Sequence, residues 1–321
     1  MYDIITVGEI LVEILTDHVG QKFSEPGKLL GPYPSGAPAI AIDQAGRMGA
    51  KAAIIAKVGK DDFAKVNLDR LTADGVDVSH VKVTESNSTG TAFVTYFENG
   101  DRQFIFHFSH AACGELSPSD IDVDAVRSSK YLHIMGCSIT ASPSMGAAVM
   151  EAVRIAVENG VKISFDPNIR PELLSGQIMD YYNTILDACD VLLTGKSEMK
   201  VLFGDAASGI RDLLSKKDRI IVVKDGSRGT ELYTRAEAFY TDTYKAVEVD
   251  PTGAGDCFDG TFLAMLASGS DLKTCVRYAN AAGALGVEKR GPMEGNSFRA
   301  YLEAFMAKSS EPKTRELPPI R

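Results

Sequence analysis

Asp256 directly follows Gly253-Ala254-Gly255, and that order of residue types suits one kind of chemistry. Phe258, Phe262, Leu263 and Leu266 follow at helical spacing, so a helix begins at the glycines. A glycine turn that feeds a helix N-terminus presents unpaired backbone N–H groups, which attract an anion. A carboxylate in the same turn opposes that anion unless it has a task of its own. The reading is phosphoryl transfer: Gly253, Ala254 and Gly255 hold the phosphoryl group while Asp256 takes a proton from an attacking hydroxyl. An acid in a first helical turn also serves as a plain cap or dipole partner. The flanks favour chemistry, because Asp250-Pro251-Thr252 brings further oxygens and the small residues let a ligand reach the backbone.

Two other stretches carry candidate groups. Asp166-Pro167-Asn168-Ile169-Arg170 follows an apolar run, at the carboxyl end where open α/β sheets bind ligands. Arg170 can clamp a phosphate through its planar fork, or be a surface arginine on a simple loop. Ser35-Gly36-Ala37-Pro38-Ala39 opens a helical stretch to Gly49, leaving backbone space for a ligand or merely capping a helix.

Such groups need a frame, and the rest of the chain supplies its pattern. Strand-like runs (Ala52–Val58, Tyr131–Met135, Val161–Phe165, Val191–Leu193, Arg219–Val223) alternate with helical patterns. One helix is expected from Asp61 to about Asp74, another from Ser142-Pro143 to Gly160, and a third around Ile178–Ala188. The rhythm predicts an α/β fold, a doubly wound and mostly parallel sheet in three layers. Two segments break it, about 12–34 and 88–110. Thr91–Phe97 and Arg102–Phe108 alternate around Asn99-Gly100, a hairpin signal, and predict a small antiparallel sheet beside the main one. Tyr244–Val249 reads as a β-rich entry to the glycine turn, and the tail after Lys308 as a loose end.

Composition limits the alternatives. With 321 residues, 45% of them hydrophobic, the chain can bury a large core, and its apolar runs are too short for a membrane span. The first residues form a strand pattern without a basic region, so no signal peptide is expected. Five scattered cysteines without Cys-x-x-Cys fit reduced thiols in the cytoplasm. A net charge of −9 argues against nucleic-acid binding. The five histidines show no metal spacing, and there is no Gly-Lys-Ser/Thr phosphate loop.

The Gly253–Asp256 stretch resembles the second signature of the PfkB, or ribokinase-like, carbohydrate kinases. Ser35–Ala39, with Val58-Gly59-Lys60-Asp61-Asp62 and Gly75-Val76-Asp77, is similar to the first, though Ser35 stands for a glycine and Ile40 for an asparagine. The resemblance spans nearly the whole chain, as one kinase domain over 1–321. It implies ATP and Mg²⁺, with Asp256 as catalytic base and Arg170 and the glycine-turn amides stabilising the transferring group. Glu13, Ser35, Gly36, Ala37, His107 and Asp256 are implied sugar contacts. Asn168, Lys224, Gly226, Ser227, Gly229, Gly253, Gly255 and Asn280 are implied ATP contacts. Glu198 would hold Mg²⁺ through water, although Gly195 replaces the usual asparagine, and Asp250 and Thr252 are possible K⁺ ligands. The two inserted segments would form a lid over the sugar and often a homodimer interface.

Members that act on sugar acids tend to carry arginine on the second lid strand. Here Phe106, His107 and Phe108 occupy that stretch, with Arg102 the lid-strand cation. That points to a neutral ketohexose, fructose or tagatose, with 2-keto-3-deoxygluconate as the alternative. A catalytically silent sugar- or nucleotide-binding regulator is a further alternative. A dinucleotide oxidoreductase is disfavoured, because Glu9-Ile10-Leu11 follows the first strand where Gly-x-Gly-x-x-Gly belongs.

Overall fold

A computed structural model of the chain describes residues 1–98, 102–169 and 174–318. Its strands, in chain order, begin with β1 Tyr2–Val7, β2 Leu11–Thr16, β3 Leu29–Ser35, β4 Ala52–Gly59 and β5 Val76–Asp77. Next come β6 Val81–Thr84, β7 Gly90–Tyr96, β8 Arg102–His107, β9 Ser129–Met135 and β10 Lys162–Asp166. The last are β11 Val191–Gly195, β12 Ile220–Lys224, β13 Gly229–Tyr233, β14 Ala238–Asp242 and β15 Thr314–Glu316.

The main sheet runs β15-β14-β13-β12-β11-β10-β9-β1-β4-β5, with β6 beside β4. Pairing is parallel from β12 across to β5 and antiparallel among β12, β13, β14 and β15. Successive side chains of a strand point to opposite faces, and the inner strands are apolar on both. Ile4 and Ile54 therefore pack with helices 37–47, 254–267 and 272–286, while Ile5 and Ile55 pack with helices 143–159 and 176–188 on the other face. This is the three-layer arrangement the alternating pattern predicts.

Local signals set the helix ends. Asp61 accepts a hydrogen bond from the Ala64 amide (2.9 Å) and Ser142 from Met145 (3.0 Å), each starting a helix where the sequence places one. The small sheet runs β3-β2-β7-β8, antiparallel except for the β2–β7 pair. The Asn99-Gly100 turn lies outside the described residues.

Two expectations need correction. Tyr244–Val249 forms no strand: the edge of β14 that it would join is taken by β15. Instead, Val249 and Asp250 donate their amides to the Val287 carbonyl (2.7 and 3.1 Å). The same pairing corrects the tail, which supplies β15 and is not loose there.

Candidate active site

A cavity of about 930 Å³ opens where β1, β10, β11 and β12 end, beneath the small sheet. The carboxyl ends of parallel strands leave such a crevice because the chain turns away into helices on either face. Glu9 just past β1, Asp166 ending β10, Gly195 ending β11 and Lys224 ending β12 line its floor. Arg102, Phe104 and Phe106 of β8 form its roof.

Gly253 caps the helix Ala254–Ala267 with φ +79°, and a Cβ there would lie 2.2 Å from the Pro292 carbonyl oxygen. Only glycine fits that approach. The helix is apolar nearly all round and buried from Asp256 to Met265, as expected for an element enclosed by neighbours. It packs on helices 37–47 and 272–286, which hold its N-terminus against the cavity. Gly253, Gly255 and Asp256 line the cavity. Ala254 lies in the same turn without lining it, and its amide reaches the Pro251 carbonyl at 3.4 Å.

The Asp256 side chain is 9% exposed, and the Asn168 side-chain amide donates to its Oδ1 at 3.3 Å. Asn168 is held at φ +40°, a conformation that costs a non-glycine residue energy, and its backbone amide donates to Asp166 Oδ1 at 2.8 Å. Expected as an ATP contact, Asn168 also ties the end of β10 to the proposed base. Arg170 lies outside the described residues.

At the other end of the cavity, Glu13 on β2 is buried. Ser35 donates its hydroxyl to Glu13 Oε1 at 2.7 Å, which gives a physical reason for serine where the family pattern has glycine. Glu13 Oε2 has no hydrogen-bond partner among the described residues. Burial pushes this carboxyl up to about 7, with Ser35 and Arg102 opposing and Asp250 and Asp256 adding to the rise. Gly36 and Ala37 line the cavity beside it. His107 does not. Arg102, Phe104 and Phe106 take the inward face of β8, so alternation turns His107 outward, where it is exposed.

On the opposite side, Gly226 and Ser227 form a single 3₁₀ turn at the cavity edge. Gly229 pairs with Asp242 within the sheet and does not line the cavity. Asn280 is likewise displaced. Its side chain accepts from Thr230 Oγ1 (2.7 Å) and donates to the Asp242 carbonyl (3.2 Å), binding helix 272–286 to the sheet.

Glu198 lines the cavity as the first-turn acid of helix 196–203. It accepts from the Ile169 amide (2.7 Å) and the Gly195 amide (2.6 Å), and burial, then neighbouring Asp166, raises its carboxyl. Asp250 accepts from Tyr96 (2.8 Å), Gly291 (3.0 Å) and Thr252 (3.0 Å), while Thr252 Oγ1 accepts from Arg102 at 2.7 Å. These oxygens serve protein donors, one of them a guanidinium.

The sequence reading gave no role to Glu9, Tyr96 or Asp259, and named Arg102 only as the lid-strand cation. Glu9 accepts from Ser138 Oγ at 2.5 Å and faces the cavity. Tyr96 and Arg102 join the small sheet to the 250–252 loop. Asp259 lies behind Asp256, and an acid on an otherwise apolar helix was a legible signal for it.

The comparisons agree with this geometry. Residues 3–299 match the pfkB family carbohydrate kinase model. The chain is 30% identical to fructokinase-2 of Solanum habrochaites over 90% of this chain and 91% of that one. It is 28% identical to a 5-dehydro-2-deoxygluconokinase of Halalkalibacterium halodurans, over 96% and 95%. A crystal structure from E. coli, described as a ribokinase II in complex with ATP and Mg²⁺, superposes with a TM-score of 0.92. That match is 43% identical and covers 96% of this chain and all of the other. A strand-end cavity holding an acid at a glycine-capped helix, together with a family match over nearly the full length, identifies the chain as a member of the pfkB family and a carbohydrate kinase.

Proposed function

We propose that the chain phosphorylates a neutral ketohexose, fructose or tagatose, using ATP. The observation that carries this reading is Asp256, set beside the Gly253–Gly255 turn with open cavity in front of it. A sugar hydroxyl placed there gives its proton to Asp256 as its oxygen attacks the γ-phosphorus. The first-turn amides face the oxygens that gather charge during transfer. Asn168 keeps the Asp256 carboxylate oriented through its amide.

Mg²⁺ would supply positive charge that offsets the charge of the phosphate groups. Glu198 fits it as a hard oxygen donor at the cavity wall, and since both its oxygens already accept amides, it would hold the ion through water.

Glu9, Glu13 and Asp256 make the sugar end acidic, which suits hydroxyl groups and disfavours a carboxylate. Buried Glu13 Oε2 can take one hydroxyl directly. Arg102 and the deoxygluconokinase relative favour the second reading, a keto-deoxy sugar acid, but the guanidinium is already engaged by Thr252. An ADP-release assay across fructose, tagatose and 2-keto-3-deoxygluconate decides between them. We expect the neutral ketohexoses to give the higher kcat/KM, and a preference for the acid reverses the assignment.

Exposed Leu29, Phe97 and Ile105 on the small sheet suit contact with a second copy, so we assign a homodimer through the lid. Five cysteine thiols suit a reducing, cytoplasmic setting.

A further inference from the structure

Lys224 ends β12 as a partly buried ammonium between two acids, 2.9 Å from Asp166 Oδ2 and 2.8 and 2.9 Å from the oxygens of Asp259. Asp259 is 0% exposed and stands four residues, one helical turn, after Gly255. A Cβ added at Gly255 would meet the Lys224 ammonium at 3.7 Å and nothing closer. The cation therefore sits directly under the glycine turn, and it lines the same cavity as Gly253 and Asp256.

Such a cluster is a poor device for stability alone. Desolvating three charged groups costs several kcal/mol per ion, and apolar residues of similar volume usually do as well. Burial and the nearby Asp166 raise the Asp259 carboxyl well above its usual range, although Lys224 opposes this. Burial acts on Asp166 in the same direction, but Lys224 outweighs it and leaves that carboxyl low. Among the described residues, the other cations of the cavity differ: Lys196 and Arg228 are exposed and paired with Asp225, and Arg102 belongs to the roof.

We propose that Lys224 is the fixed cation that meets the transferring phosphoryl group, and that Asp259, with Asp166, positions its ammonium there. This rests on ATP as the phosphoryl donor. The bond from the γ-phosphorus to the bridging oxygen of ADP breaks, and the bond to the sugar oxygen forms. The sugar proton goes to Asp256. Lys224 keeps its own proton throughout and offsets charge on the phosphoryl oxygens. Holding it between two acids also keeps it from closing onto Asp256, which as an ion-pair partner would be a weaker base.

A cation aimed at the γ-phosphate distinguishes ATP from ADP, and a purely structural cluster does not. Calorimetric titration of the full chain with Mg·ATP and with Mg·ADP, without sugar, reads that difference. Lys224→Met should weaken ATP binding about 10–100-fold, the size of a lost charge-assisted hydrogen bond, and ADP binding by no more than about threefold. Asp259→Asn keeps the shape and should shift ATP alone in the same sense by a smaller factor, with kcat falling and sugar KM unchanged. Equal losses for the two nucleotides, or none, in a variant with a wild-type melting transition overturn the proposal. If Lys224→Met does not fold, the Asp259→Asn titration decides. A wild-type chain that binds ATP yet phosphorylates no ketohexose overturns the substrate reading and leaves this one standing.

Discussion

On the floor of the cavity, Asp256, Asp166 and Lys224 hang from strand ends and a buried helix, and each is held by a partner in the core. On its roof, Arg102, Phe104 and Phe106 stand on β8, an edge strand whose outward residues Gln103, Ile105 and His107 are exposed. The floor is fixed by close packing, and at Gly253 a single added atom meets backbone. The roof is one strand thick and can change its side chains at little cost to folding. Under the proposed function, reaction chemistry belongs to the first region, and the choice of sugar rests on the second and on Glu13 beneath it.

The sharpest way to break that division is Asp256→Asn, which should lower kcat about 10²–10⁴-fold, the usual worth of a placed general base. Steady-state turnover near wild type would remove the floor from the chemistry. Gly253→Ala tests its rigidity. The new methyl meets the Pro292 carbonyl at 2.2 Å in a backbone conformation unfavourable to alanine, so urea unfolding should show a loss of roughly 1–3 kcal/mol. Unchanged stability would mean that the cradle yields.

Glu13→Gln probes the boundary between the two regions. It should raise sugar KM about tenfold, one hydrogen bond to a charged group, and leave kcat within a few-fold. It also carries a pH signature. The Glu13 carboxyl moves from its ordinary 4.5 to about 7 on folding, so the native state binds the proton more tightly than the unfolded chain. Wild-type stability relative to Glu13→Gln therefore falls as pH rises from about 4.5 to about 7 and is level outside that window. Thermal melts across pH 4 to 8 check the slope, and parallel curves would place Glu13 in solvent. The smallest effect is expected on the roof. Arg102→Gln removes the tie to Thr252 and should raise sugar KM about fivefold with nucleotide binding untouched, as equilibrium titration can show.

Much of the floor was legible because its signals are contiguous. Gly253 to Asp256 specify a turn, a cap and an acid within four positions, and Asp61 and Ser142 start helices by bonding amides three residues on. What escaped depends on distance along the chain. Lys224 meets Asp166 across 58 positions and Asp259 across 35, and Asn168 reaches Asp256 across 88. Local pattern carries no record of such meetings. His107 and Asn280 stand outside the cavity for a related reason. Motif resemblance supplies a neighbourhood, whereas strand alternation and a competing hydrogen-bond partner decide which side chain faces the cavity.

Residue order alone was sufficient for the alternation of strands and helices, the glycine-capped helix, the acid at its start and membership of the kinase family. The elements follow from backbone preferences and apolar periodicity, which act over a few residues, and the family from the resemblance of short motifs. Assembly of the sheets was needed to bury Glu13 against Ser35, to suspend Lys224 between Asp166 and Asp259, and to take the edge of β14 with the C-terminal tail. Burial and charge pairing depend on which distant segments share a volume, and that is settled only when the layers pack.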